Sequence, residues 1–229
     1  MEKNRLSETL WFLKDCRKDT VQQFQQLGKV VCYPKGHMCI RAREQSSDIF
    51  ILLKGKVQIY NLTKCGKKKI LFILGEQNIV NESIAGKYDT IYCETLESCE
   101  FYVIRRELFL SLMEQDFELT KWMLKYQEWK MWRLEHQLKN TVGSIYLERK
   151  LASKLWKLAR DFGMETPKGI LIGMDLSVTF LADLLGVPRE NASRACKKLT
   201  EQGLILMEKK KIYIINSEKI SKFYEKGTL

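Results

Sequence analysis

The stretch GVPRENASRACKKL, residues 186–199, sets a glycine and a proline between two segments of helical period. Before it, Val178, Leu181, Ala182 and Leu185 recur at i, i+3, i+4 and i+7, which gives a helix one apolar face. Asp175 or Ser177 can cap that helix. Gly186 can take the left-handed conformation that stops it. Pro188 suits the first position of a second helix, where no amide partner is lost. On a wheel begun at Arg189, Ala192, Ala195, Cys196 and Leu199 share one arc, small enough to lie close against the first helix. Arg189, Glu190, Ser193, Arg194 and Lys197 share the neighbouring arc. Two helices joined by a short glycine-containing turn form a helix-turn-helix.

The charged arc suits a DNA major groove. Arginine donates a forked pair of hydrogen bonds to guanine, and glutamate accepts from the amino group of cytosine. Ser193 and Lys197 reach phosphates or bases. The following GLILMEKKKIYIIN, residues 203–216, predicts two short strands with a tight turn, a wing. Lys209, Lys210 and Lys211 at its tip suit the phosphate backbone.

Upstream, residues 144–162 predict a helix with Leu147, Leu151, Leu155 and Leu158 on one side, closed by a left-handed Gly163 and followed by a loop, GMETPKG, at 163–169. Residues 117–140 predict a long helix without glycine or proline, with Leu119, Trp122, Met123, Tyr126 and Trp129 in one stripe and Trp132 off it. The stripe then meets Lys130, Arg133 and Gln137, so it is no pure coiled-coil seam. The helix is expected to pack partly on its own domain and partly on a partner chain. Residues 29–104 change period: KVVCY, DIFILL, KVQIYNL, KKILFIL, TIYCETL and CEFYVI read as short strands of a small β-barrel or sandwich. Residues 5–27 read as helical.

The bulk properties agree. Of 229 residues, 45% are hydrophobic, enough for a sizeable core. The net charge of +11 suggests a polyanionic partner. Residues 141–229, with 16 basic and 10 acidic side chains, hold +6 of it. No run of about 18 apolar residues occurs, so no membrane span is expected, and the charged start lacks a signal-peptide layout, which predicts a cytoplasmic protein. Seven cysteines, an odd number, argue against a disulfide framework. Cys32 and Cys39, or Cys93 and Cys99, are spaced to be neighbours in a sheet. No Cys-x2-Cys pair occurs, and neither a metal nor another cofactor is expected. No Ser-His-Asp layout, P-loop, strand-borne Gly-x-Gly-x-x-Gly or HExxH motif is present, so no enzyme and no catalytic residue is predicted.

The order of β-barrel, long helix and winged helix-turn-helix resembles the cyclic-AMP receptor/FNR (CRP/FNR) family of bacterial transcription regulators. The resemblance spans nearly the whole chain and is most specific at LADLLGVPRENASRACKKLTEQGLI, residues 181–205, where R-E-x-x-S-R resembles the family's recognition-helix signature. It implies an α+β fold: an N-terminal antiparallel β-roll of the cyclic-nucleotide-binding type over 1–116, a connecting and dimerisation helix over 117–140, and a winged helix-turn-helix DNA-binding domain over 141–229. It implies that Arg189, Glu190, Ser193 and Arg194 read bases, that a homodimer binds an inverted repeat in double-stranded DNA, and that RNA polymerase is contacted.

The sensory half departs from the best-known members. Cyclic-nucleotide binders carry Gly-Glu and then Arg-Ser in the segment resembling IVNESIAGKYDTIY, residues 79–92, and the Arg-Ser pair holds the phosphate. Here Asn81-Glu82 and Asp89-Thr90 stand instead, and an aspartate repels a phosphate with no arginine nearby in sequence to replace the lost one. The N-terminal cysteine cluster of the oxygen-sensing branch is missing, with Cys16 alone there, and only His37 and His136 are available as haem ligands. The expectation is a pocket for an unidentified small effector, with Glu82, Ser83 and Thr90 as polar contacts and Trp122 and Tyr126 as its cover, or else as core packing. Two alternatives stand beside this reading: a ligand-independent or cysteine-redox-tuned regulator, and a ligand-binding module acting on an enzyme in trans.

Overall fold

The computed structural model describes residues 10–139 and 146–226. Positions 5–9, 140 and 144–145 of the predicted helices lie outside the described residues, as do the outer ends of the predicted domains. The chain forms two compact units, one from residues up to Thr63 together with Ile70–Leu134, the other from Lys64–Lys69 together with Glu135 onward.

In the first unit, two four-stranded sheets face each other. One has the order β1 (Lys29–Tyr33), β8 (Cys99–Arg105), β3 (Asp48–Lys54), β6 (Asn78–Ile79); the other runs β2 (Met38–Ile40), β7 (Tyr92–Thr95), β4 (Val57–Leu62), β5 (Lys68–Leu74). The β1–β8, β3–β8 and β2–β7 pairs are antiparallel, with Val31 opposite Phe101 and Ile51 opposite Tyr102. Strand alternation divides the core. Phe101 and Val103 of β8 join Leu52, Ile59, Phe72 and Cys93 between the sheets. Tyr102 and Ile104 point the other way, into a second cluster that the helices cover. Those helices are α1 (Lys18–Leu27), α2 (Arg106–Gln115) and the long α3 (Phe117–Lys139).

The cysteine spacing is realised differently from expectation. Cys32 lies opposite Glu100, Cys99 lies opposite Tyr33, and all seven thiols are free. The thiol hydrogen-bonded to Cys93 belongs to Cys39, because β2 pairs with β7 and not with β1.

The predicted 5–27 helix is broken in its described part. A 3-10 turn at Trp11–Leu13 is separated from α1, because the Arg17 amide donates to the Asp116 carboxylate at 2.8 Å and not to a continuing helix. Along α3 the predicted stripe packs inward: Leu119, Trp122, Met123 and Tyr126 are buried in the helical core. Trp129 departs from it and is 37% exposed, stacked on Tyr126 and covered by the Arg133 guanidinium 4.7 Å from its ring centre.

The second unit holds α4 (Leu147–Phe162), α5 (Val178–Leu185), α6 (Arg189–Glu201) and α7 (Ser217–Lys226), with a four-stranded sheet of order β11 (Ile205–Glu208), β12 (Lys211–Ile214), β10 (Gly169–Ile172), β9 (Gly163–Thr166). Two expectations are corrected here. Residues 163–169 are a hairpin limb and not a loop, because β10 gains a second partner in β12, with Ile170 opposite Ile214. Gly163 is extended at φ −78° and starts β9, while Gly169 at φ 112° makes the turn that only glycine enters readily.

Candidate nucleic-acid interface

Each device read from the 186–199 stretch has a structural counterpart. Ser177, not Asp175, caps α5, its Oγ accepting from the Phe180 amide at 3.1 Å. Gly186 is left-handed at φ 72°, and its amide closes α5 on the Ala182 carbonyl at 2.7 Å. Pro188 stands one position earlier than expected, as the extended cap residue before α6, so Arg189 is the first helical residue. Leu181, Ala182 and Leu184 of α5 are buried, and so are Ala192, Ala195, Cys196 and Leu199 of α6. Val178 and Leu185, expected inward, are half-buried. The two alanines let the helices approach closely, and that leaves the opposite face of α6 outside.

That face carries Arg189, Glu190, Ser193, Arg194 and Lys197, all exposed. The side chains of Arg189, Glu190 and Ser193 make no hydrogen bond within the described residues. Arg194 leans on Asn191, whose side-chain oxygen accepts from its guanidinium; sequence reasoning missed this partner, although an i, i+3 Asn–Arg pair on a helix was the available signal. Lys197 lies 3.7 Å from Glu201, one turn on, in an exposed pair of little energetic weight.

The wing forms as β11 and β12, with Met207 opposite Ile212 and Glu208 opposite Lys211. Lys209 holds a left-handed φ of 57° at the tip, and both Lys209 and Lys210 are exposed. Lys211 is not a tip residue. It begins β12 and pairs with Asp175 at 3.1 Å, while the Lys210 carbonyl accepts from the Leu176 amide at 2.7 Å. The rejected cap residue Asp175 thus ties the wing to the chain that enters α5.

The structure separates the five proposed effector contacts. A cavity of about 460 Å3 lies between the inner face of the sheets and α3, and of the five only Glu82 lines it. Trp122 and Tyr126 line a different cavity of about 410 Å3, beside Trp11 and Gln77. Their rings are mostly core: Phe12, Trp122, Tyr126 and Trp129 stack in sequence. Burial pushes the Tyr126 hydroxyl pKa up, and that hydroxyl donates to the Ile79 carbonyl at 2.8 Å. Ser83 and Thr90 serve the 79–92 segment itself. The Ser83 hydroxyl accepts from the Gly86 amide at 2.9 Å, and the Thr90 amide and hydroxyl both donate to one Glu82 oxygen, at 2.6 and 2.7 Å.

Asp89, whose charge disfavours a phosphate, is fully buried and accepts from the amides of Glu82 and Ser83 at 2.7 and 2.9 Å. An internal carboxylate therefore occupies the N–H groups that an anionic ligand would otherwise meet. The arginine absent from the local sequence comes from α2. Arg106 is buried, with Nη2 facing the Asp89 carboxylate at 4.0 Å, while Nε donates to the Ser46 carbonyl and Nη1 to those of Ser83 and Ile84. Asn81 is also structural, accepting from the Phe50 amide at 2.8 Å and donating to the Asp48 carbonyl at 3.1 Å.

Lys130, one turn after Tyr126, donates to the Asn81 carbonyl at 2.9 Å. Burial lowers its pKa to about 8, against the opposing pull of Asp89 and Glu82. Among the thiols, burial pushes Cys196 up to about 11, which disfavours the reactive thiolate. Cys93 is raised by its bond to Cys39 and by burial. His37 stacks on Tyr33, with ring centres 4.0 Å apart.

Comparison with known proteins fits this architecture. Residues 30–116 match the family described as a cyclic nucleotide-binding domain, and residues 149–223 match the Crp-like helix-turn-helix domain. The chain is 24% identical over 196 residues to a CRP-like cAMP-activated global transcriptional regulator of Mycobacterium tuberculosis, covering 84% of this chain and 86% of that one. It is 24% identical over 205 residues to the global nitrogen regulator of Synechococcus elongatus, covering 88% of each. Among solved structures, FixK2 from Bradyrhizobium japonicum superposes with a TM-score of 0.73 at 17% identity, covering 85% of this chain and 96% of that chain, which speaks to the fold. No helix of the described residues is long and apolar enough to cross a membrane. With a β-roll matching one half of the family pattern and a helix-turn-helix matching the other, the chain belongs to the CRP/FNR family of DNA-binding transcription regulators.

Proposed function

We propose that the protein is a homodimeric, cytoplasmic regulator that reads an inverted repeat in double-stranded DNA, contacts RNA polymerase, and answers to a small effector held in its N-terminal unit. The exposed face of α6 carries this reading: Arg189, Glu190 and Ser193 are ordered on a helix whose other face is buried, and no side-chain partner among the described residues occupies them. Arg189, Glu190, Ser193 and Arg194 read base edges, Lys197 and the wing lysines Lys209 and Lys210 hold phosphates, and Lys211 supports the wing through Asp175.

The exposed face of α3 supports the dimer. Phe117, Leu124, Met131 and Leu138 stand seven residues apart and are 70%, 57%, 59% and 65% exposed. They lie roughly 140° round the helix from the buried stripe at 100° per residue. A heptad row of this kind packs against the same row of a second copy. Of the candidate contacts, Glu82 remains for the effector because it lines the cavity, whereas Ser83 and Thr90 are engaged within their own segment and Trp122 and Tyr126 belong to the core. The 117–140 helix then links the 1–116 sensor to the 141–229 reader. Selection of bound fragments from a random DNA pool tests the reading: enrichment of an inverted repeat is expected, with half-sites one helical turn apart as in dimeric helix-turn-helix proteins. A pool that stays random under every condition of ligand and redox state overturns it.

A further inference from the structure

We propose that the cavity between the sheets and α3 takes an apolar molecule carrying a single carboxylate or phenolate, with Lys130 as the partner of that charge. This rests on the effector reading above and deepens it.

The cavity, about 460 Å3, falls within the usual range for small-molecule sites of about 300–1,000 Å3. Its walls are largely hydrocarbon, Leu71, Phe72, Val80, Ile91, Leu124 and Met131 among them, and its polar lining is Glu82, Gln127, Glu128 and Lys130, with Glu128 on the exposed side of α3. A sugar phosphate placed there would bury against hydrocarbon every hydroxyl that does not reach one of these four side chains, at a cost of roughly 1–3 kcal/mol for each unsatisfied group. The polar groups are few, and their states differ. The Glu82 carboxylate already has two donors on one oxygen, from Thr90, and the nearby Asp89 has two amides. The Lys130 ammonium, with three donors to offer, has one hydrogen bond, to the Asn81 carbonyl, and lies 5.3 Å over the Tyr126 ring. Its lowered pKa says that burial outweighs the charges around it. A half-buried cation in a largely apolar chamber, with donors to spare, gains most from an anion that brings its own apolar body. Leu124, Met131 and Leu134 line this chamber and are also exposed on the outer side of α3. A bound molecule therefore touches side chains of the proposed dimer seam.

Titration calorimetry on the full-length protein tests this, with decanoate and 4-phenylbutyrate as probes, their primary amides as neutral isosteres, and cyclic AMP as the competing chemistry. At least one acid is expected to bind about tenfold or more tighter than its amide, the scale of one charge-assisted hydrogen bond. Lys130→Met should reduce that preference to about twofold or less, and Lys130→Arg should keep it, which separates lost charge from lost fold. Equal binding of acid and amide, an unaltered preference in Lys130→Met, no binding of either acid, or tighter binding of cyclic AMP overturns the proposal. Mobility shifts on the same preparations separate the two levels. Specific DNA binding without acid selectivity overturns the ligand class alone. Acid selectivity that leaves DNA affinity unchanged supports the site and overturns its role as effector.

Discussion

Arg189 and Lys210 are both exposed cations, but their settings predict different work. Arg189 opens α6, whose buried alanines set the face from which its side chain leaves the helix. Arg194 is steered further by Asn191. Lys210 sits on a two-residue turn, with only its carbonyl engaged. Arg189→Ala and Arg194→Ala are therefore each expected to cost ~1–3 kcal/mol on the selected site and to relax base preference at one position per half-site. Lys210→Ala should weaken specific and random duplexes alike and lower the salt slope by about one. Binding titrations over a salt series check both, and equal loss on selected and scrambled DNA for the arginine variants removes base readout.

At the scale of one element, the long helix depends on Asp116. Its carboxylate caps α3 by accepting from the Glu118 amide at 3.0 Å, and it also accepts from the Arg17 amide at 2.8 Å, anchoring the start of α1. Burial pushes its pKa up, but the bonds from Arg17, Thr20 and Glu118 prevail and hold it below the ordinary value. Asp116→Ala should cost ~1–2 kcal/mol at neutral pH. Because the folded pKa is depressed, that stabilisation is complete above the unfolded value of about 3.9 and is lost as pH falls through the folded one. Urea midpoints of the two proteins should then converge on acidification, and a gap that stays constant to about pH 2 would contradict the role of the charge.

For the molecule as a whole, the seam proposed on α3 predicts how two copies assemble. Leu124 and Leu138 are exposed, and Leu138, unlike Leu124, does not line the cavity of about 460 Å3, so the two differ in what else they touch. Glutamate at either position of a paired seam sets like charges against each other across the axis. Leu138→Glu should shift the protein to monomers in sedimentation velocity and lower affinity for a full inverted repeat far more than for a half-site. It should leave ligand binding intact, whereas Leu124→Glu should disturb both. A Leu138→Glu protein that remains dimeric would place the dimer elsewhere.

Much of this was legible in residue order, because its signals are local. The Ser177 cap, the left-handed Gly186, the inward alanines and the outward charges of α6 follow from helical period and backbone sterics, and they fix which face of the helix is left outside. Strand existence was equally local, since β-branched and aromatic runs between turns have few other conformations. What the tertiary structure alone decided involves partners distant in sequence. Asp116 breaks the first helix from about a hundred residues away, β12 turns a presumed loop into strand, and Arg106 and Asp89 meet inside the 79–92 segment. Trp122 and Tyr126 go to the core, and Lys130 goes to the chamber wall, because sheet packing selects which side of α3 faces inward. Periodicity shows that a helix has an apolar side, whereas the cavity beside α3 is the space left between elements, and no single element's sequence contains it.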